Sequence, residues 1–498
     1  MKLWKHLSPG LLVLAASMAC RPADDGRETV AAAARDIPVT TSSPEALTAF
    51  REGQKAKDVG RDQEANALFE NAVRLDPSFA YAYLNVAATA ASAREFATNL
   101  ELARAHLEGK SDGERILVEI NQTFFDNDSE KRLELARSLV GRYPEGPRAW
   151  VVLAGMQGGQ NQHEAARESL DRALELDPDF LAAHFAVWGS YLFSEPKDFA
   201  RAEKAMWRCL EIDPEEAKPY ENLGDVYRAM QDLERARELY SRAVEKDPSL
   251  KAASIKKGHI NSFLGRFEEA RADYDAGLAG TEGQTRVTYA NYRAFVHLHA
   301  GDPRAALDEL DGLLDLADTL EMPEDQRFGA KIFTLTNQAT IALHHNLLAD
   351  AERIVGRLAM VMRANSESVG DPEFTRHQEA NILLWQGQLA ARKGDSVIAR
   401  AKAEEHRSLL EDDRNPRRFE GYHGLLGLIE LLRGDAPAAV EQFERADLSV
   451  MYVKYHLALA EEAAGHAEQA KALFREVAQW NFNSVGFALV RKDALERI

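Results

Sequence analysis

The chain has 498 residues and a formal net charge of −19 at neutral pH. A phosphate-binding face needs clustered basic charge, so this balance argues against a nucleic-acid partner. Hydrophobic residues make up 45% and aromatics only 8%, as in helix-rich chains. The length is too great for one ordinary core, but suits a repeat array whose units touch only their neighbours.

The chain opens with a basic stretch, Met1-Lys2-Leu3-Trp4-Lys5-His6, then an apolar run from Leu11 to Ala19, then Cys20. A basic region, a short apolar region and a small residue form the pattern of a secretory signal, and the run is too short to span a bilayer. A cysteine directly after such a run resembles the lipobox of bacterial lipoproteins. Ala19 fits that motif, whereas Ser17 stands where leucine is usual. The resemblance implies lipidation of Cys20 and a membrane anchor. Because Arg21 follows the cysteine, sorting rules of that family imply an outer-membrane lipoprotein of the bacterial cell envelope, facing the periplasm. Plain cleavage after Ala19, giving a secreted or periplasmic soluble protein, is the alternative. Residues 21–43 carry no helical or strand period and are expected to be a flexible linker spanning roughly 25–30 Å.

From residue 44 onward the pattern is helical and repetitive. Aspartate-proline pairs recur at 76–77, 177–178, 213–214 and 247–248, and the last two prolines are 34 residues apart. The segment 217–250 matches the tetratricopeptide-repeat (TPR) pattern throughout. It has Tyr220, Leu223, Gly224 and Tyr227 on a first helix, and Ala236, Tyr240, Ala243 and Pro248 on a second. Gly224 and Ala236 stand where the two helices of a hairpin cross, and a larger side chain there would push them apart. Tyr220, Leu223, Tyr227 and Tyr240 fill the space around the crossing, and Pro248 ends the second helix.

Weaker copies flank this one in register, from Gly53, Ala65 and Phe69 to Gly465, Ala470 and Phe474. The chain thus resembles the TPR family. The expected fold is all-α: a right-handed superhelical solenoid of about twelve TPR-like helical hairpins. Spacing breaks at Asp318–Gln326 and Ser366–Glu373 are expected to form longer loops or bends. They divide an N-terminal array, 44–320, from a C-terminal array, 321–484, with 485–498 as a capping helix. The part from Ser43 to Ala279 also resembles the TPR regions of bacterial signalling proteins.

No motif here carries catalysis. Gly155, Gly158 and Gly159 follow no strand, so no nucleotide loop is expected. The pairs His297/His299 and His344/His345 are one or two residues apart, a spacing that points the rings away from each other. They are expected to be solvated or groove-lining. Cys209 replaces the small alanine of its hairpin and is expected to be a buried structural thiol. Neither a metal nor a cofactor is expected.

In the TPR family the first helices line the concave face, so the resemblance implies partner-binding residues there: Lys218, Glu221, Asn222, Asp225, Arg228, Lys256 and Lys257. Lys218 and Asn222, with Lys256 one repeat further on, resemble part of a carboxylate clamp, since an ammonium and an amide N–H both donate to a carboxylate. The expected function is a membrane-tethered, non-enzymatic scaffold for protein or peptide partners. Two alternatives are a sensor or regulatory module beside a separate kinase or transcription regulator, and an envelope-processing enzyme whose active site carries no recognised motif.

Overall fold

The computed structural model describes residues 36–90, 93–125, 128–413, 415 and 417–498. The signal segment 1–20 with Cys20, and most of the expected linker, lie outside the described residues.

Among the described residues there are 25 helices and no strand. They run in antiparallel pairs: α1 Pro44–Asp58 and α2 Asp62–Leu75, α3 Ala80–Ala88 and α4 Ala93–Ala105, α5 Asp112–Phe125 and α6 Ser129–Arg142. Next come α7 Pro147–Gly158 and α8 His163–Leu176, α9 Leu181–Phe193 and α10 Phe199–Ile212, α11 Lys218–Ala229 and α12 Leu233–Lys246. The series continues with α13 Lys251–Phe263 and α14 Phe267–Leu278, α15 Gly283–His299 and α16 Pro303–Thr319, α17 Glu324–His344 and α18 Leu348–Val369. It ends with α19 Pro372–Arg392 and α20 Ser396–Leu409, α21 Glu420–Arg433 and α22 Ala436–Phe443, α23 Met451–Ala463 and α24 Ala467–Ala478, and a single helix α25 Val485–Glu496.

Two compact units emerge, one reaching Val226 and one running Tyr227–Ile498, with the boundary inside α11. The division expected at 320–321 instead falls within the second unit. The spacing breaks there are not loops. Thr319 and Glu324 are joined by four residues, and Val369 and Pro372 by two. The irregular spacing comes from helix length: α16, α17, α18 and α19 have 17, 21, 22 and 21 residues, against 14 in α2, α8, α10 and α12.

The hairpin core follows the repeat. On the second helices Ala65, Phe69 and Ala72 are buried, as are Ala236, Tyr240 and Ala243, and Ala439 and Phe443. Cys209 is buried likewise, and burial pushes its thiol up to about 12, so it stays protonated and inert. Of the other consensus residues Leu223 and Gly224 are buried, Tyr220 and Tyr227 half-buried, and Pro248 exposed in its turn. Aspartates start many second helices by accepting a backbone N–H: Asp232 from Arg235, Asp302 from Ala305, Asp395 from Ile398 and Asp435 from Ala438.

A recurrent contact fixes the hairpin crossing. A Cβ at Gly53 would lie 2.8 Å from the Phe69 ring, and one at Gly427 would lie 2.7 Å from the Phe443 ring. Gly427→Ala adds about 1 kcal/mol of helix propensity. It also drives a methyl into a ring with no room to move, which costs about 1–3 kcal/mol. The overlap is expected to win, with a net fall in the thermal midpoint. A rise would mean the Phe443 ring can shift.

The expected linker is shorter than 21–43, because residues 36–43 are strapped across the first three hairpins. Ile37 is buried in the core beside Gly113 and Tyr143. Thr40 donates to Glu114 through its N–H (2.9 Å) and hydroxyl (2.7 Å), and Thr41 donates to Asp76 (2.5 Å). Ser43 caps α1 by accepting from Ala46 N–H. The segment has no helical period because its hydrogen bonds go to side chains of other hairpins.

Candidate partner-binding face

Within each unit successive first helices pack on one another: α3 on α5 and α7 on α9, then α13 on α15, α15 on α17, α19 on α21 and α21 on α23. Among the described residues no pair of second helices packs in this way to a comparable extent. Elements stacked closer on one side curve toward that side, so the first helices form the inner face of each unit.

In the N-terminal unit this face closes on itself. Helix α1 reaches α9, and Arg148 on α7 donates to both carboxylate oxygens of Asp58 on α1, at 3.2 and 2.9 Å. Arg148 is only 1% exposed, its Nε lies 3.9 Å from Asp36, and its guanidinium stands 4.8 Å from the centre of the Phe180 ring. Burial pushes the Asp36 carboxyl up to about 6, although Arg148 pulls it down. Burial also pushes the neighbouring Lys57 ammonium down to about 8, where it donates to Asn85.

The residues expected to face an open groove do not do so. Glu221, Asn222, Asp225 and Arg228 are all buried. Lys218 Nζ pairs with Glu221 at 2.8 Å, and the Asn222 amide donates to the Met206 sulfur at 3.4 Å. That arrangement leaves no carboxylate clamp, because the ammonium is already neutralised and the amide is turned into the hairpin. Lys257 pairs with Asp273 at 2.9 Å, and Lys256 beside it is half-buried. Exposure failed as an expectation because these side chains pair within their own helix or with an adjacent second helix instead of with solvent.

In the C-terminal unit the inner face holds a segment of the chain itself. After α24, residues 479–484 run without regular structure past the ends of α11 and α15 and over α13 and α14, and α25 then packs on α15, α17, α23 and α24. Gln231 Nε2 donates to the Gln479 carbonyl at 2.6 Å, and Asn481 Nδ2 donates to Gln231 Oε1 at 2.7 Å and to the Arg228 carbonyl at 3.3 Å. The Arg228 guanidinium lies 4.0 Å from the Phe482 ring centre. Asn483 Nδ2 donates to His259 Nδ1 and Tyr274 Oη, each at 3.2 Å, and Tyr274 Oη is 2.7 Å from His259 Nδ1. The other end of that amide, Asn483 Oδ1, is 3.2 Å from His299 Nε2. An amide oxygen only accepts, so His299 carries its proton on Nε2. Phe487 is fully buried against Phe263, at 5.3 Å between ring centres.

Gln231 is unusual in its backbone. Its φ is +70°, and Gly265, one 34-residue repeat later, occupies the same turn with φ +75°. A left-handed glutamine costs on the order of 1 kcal/mol where glycine costs nothing. Here its side chain holds two points of the 479–484 segment. The sequence reading missed Gln231, His259, Tyr274, Asn481 and Asn483. The available signals were a glutamine at a glycine register and two asparagines, Asn481 and Asn483, on either side of Phe482.

His299, His344 and His456 are neutral at physiological pH. Burial pushes His299 down to about 4, against the opposing hydrogen bond from Asn483, with Arg491 adding to the fall. Burial likewise pushes His456 to about 4 and His344 to about 3, with His345 and Arg392 close to the latter. The unfolded chain takes up these protons near pH 6.5, while the folded one waits until about 4. Stability from these groups is therefore complete above 6.5 and lost as pH falls through that window. Each histidine contributes on the order of 2 kcal/mol of loss at pH 5. The thermal midpoint of the C-terminal unit should drop between pH 7 and pH 5; a flat profile would contradict these assignments.

Among the described residues no group of three or more His, Cys, Asp or Glu side chains is arranged to hold a metal. No described helix is long and apolar enough to cross a membrane.

The family profile described as Tetratricopeptide repeat matches residues 217–250, and a second profile of the same description matches 147–180. The chain carries tetratricopeptide repeats at these two places. The match at 217–250 lies where the alanine and aromatic spacing placed the full copy. Anaphase-promoting complex subunit 3 of Schizosaccharomyces pombe is 22% identical over 258 residues, covering 51% of this chain and 36% of that protein. A UDP-N-acetylglucosamine–peptide N-acetylglucosaminyltransferase of Giardia intestinalis is 27% identical over 131 residues, covering 26% of this chain and 9% of that one. The chain thus spans only a minor part of the length of these curated relatives. Among solved structures, the APC/C hetero-tetramer Cut9–Hcn1 aligns with 90% of this TPR chain and 76% of its own, at 14% identity and a TM-score of 0.41. The repeats make this TPR chain a protein–protein interaction module.

Proposed function

We propose that this TPR protein is a non-catalytic scaffold that binds protein or peptide segments on the inner face of its first helices. We further propose that a lipid on Cys20 tethers it to the bacterial cell envelope, on the periplasmic side of the outer membrane. The observation that carries the binding reading is in the C-terminal unit, where Arg228, His259 and His299 on first helices, with Gln231 in a turn and Tyr274 on α14, hold an irregular peptide segment by its amides, carbonyls and rings. Groups of this kind hold an extended segment with no requirement for a reactive centre.

A pair of photo-cross-linking residues tests the binding face. One replaces Lys256 on α13, an inner helix; the other replaces Val397, which is 77% exposed at the start of the second helix α20. Partner adducts are expected from position 256 and not from 397, and the reverse pattern would sink the reading. The tether has its own test in fatty-acid labelling of wild type and Cys20→Ala. Label is expected in the wild type alone. An unlabelled wild type that fractionates with the cytosol would remove the tether and favour a regulatory module working beside a separate protein.

A further inference from the structure

We infer that residues 479–496 are an exchangeable internal ligand, and that the C-terminal inner face takes partners of the same chemistry. Such a partner presents an uncharged stretch with asparagine side chains flanking an aromatic ring, running directly into a short amphipathic helix. This deepens the proposed binding role and rests on it.

Three observations carry it. First, the segment Gln479-Trp480-Asn481-Phe482-Asn483-Ser484 has no charge and no regular structure, yet its amides and the Gln479 carbonyl are held by directional hydrogen bonds. The Asn483 amide is read at both ends, by His259 and Tyr274 on one side and His299 on the other. Secondly, Gln231 keeps a left-handed backbone where Gly265 stands one repeat later, and its side chain grips the segment at two points. Glycine would serve that turn without strain but could not supply the grip, which makes position 231 a recognition position in this proposal. Thirdly, α25 does not fill the face it covers. A cleft of about 410 Å³ remains beside it, lined by Phe263, Leu298, His299, Leu489, Arg491 and Leu495 among others. The face therefore has room for a helix with larger side chains than α25 brings.

The test uses the full chain and a fluorescent peptide copying residues 477–498. In the variant Asn483→Ala/Phe487→Ala the internal segment is weakened while the inner face is untouched. Peptide is expected to bind this variant at least 10-fold more tightly than it binds wild type. A helical variant that fails to bind the peptide overturns the inference. So does a dimer by light scattering that excludes the peptide, since the face would then take a second copy. Should the double variant lose helicity, Gln231→Gly decides, because glycine suits that turn and only the side-chain grip is lost. Chymotryptic cleavage at Trp480 and Phe482 is expected to speed up at least 5-fold, and an unchanged rate overturns the inference. Failure here leaves the cross-linking test from Lys256 standing, so the two readings fail separately.

Discussion

Replacing Arg148 by alanine is expected to destabilise the N-terminal unit by about 3–5 kcal/mol. The guanidinium sits 1% exposed between α1 and α7, joined to both oxygens of Asp58, a residue 90 positions earlier in the chain. Removal leaves two buried carboxylates, Asp58 and Asp36, with their main counter-charge gone. Asp36 is already pushed up to about 6 by burial, so losing Arg148 drives it further toward the protonated form. That proton relieves part of the cost, but Asp58 then loses both guanidinium hydrogen bonds while still buried. The cation also packs on Phe180, and that contact is lost as well. Urea titration followed by circular dichroism measures the change, which should appear as an earlier first transition with an unaltered second one. A shift below about 1 kcal/mol would show that water reaches the site. Exchanging both Arg148 and Asp58 for methionine and leucine should recover much of the loss, because paired apolar groups of similar volume avoid the desolvation cost.

The second large effect concerns the far end of the chain. Phe487→Ala removes a fully buried ring from a cluster with Ala236, Tyr240, Ile260 and Phe263, and should cost the C-terminal unit about 3–5 kcal/mol. The loss should be concentrated in α25 and the segment before it. Sites in 479–496 become open to protease while the hairpins of α15 to α18 stay protected. If the whole unit instead unfolds together, α25 is a structural member of the core and not a seated segment.

Much of the fold was legible because a TPR hairpin is written locally. A small residue at the crossing, an aromatic 16 positions after it and aspartate caps all act within about forty residues, and Gly427 with Phe443 shows the spacing directly. The lengthened helices α16 to α19 were misread as loops, since a spacing break looks the same whether a turn or a helix has grown. The binding face was less legible. Lys218, Glu221 and Asn222 look like groove residues in one repeat, but their exposure depends on what their own helix and the neighbouring second helix present, as Met206 does to Asn222. Residues 36–43 and 479–484 have no period of their own, and their order comes from partners such as Glu114, 74 positions from Thr40, and His259, 224 positions from Asn483. No local pattern records contacts at that range.

The account rests on an inner face built to receive and release a segment, and amide hydrogen exchange on the unmodified full chain tests it most directly. The amides of α25 should exchange through an opening that costs at least ~2 kcal/mol less than the opening that exposes α16, because the segment leaves while the hairpins stay folded. Equal protection of α25 and α16 under the same conditions would contradict the account and make 479–496 a fixed part of the core.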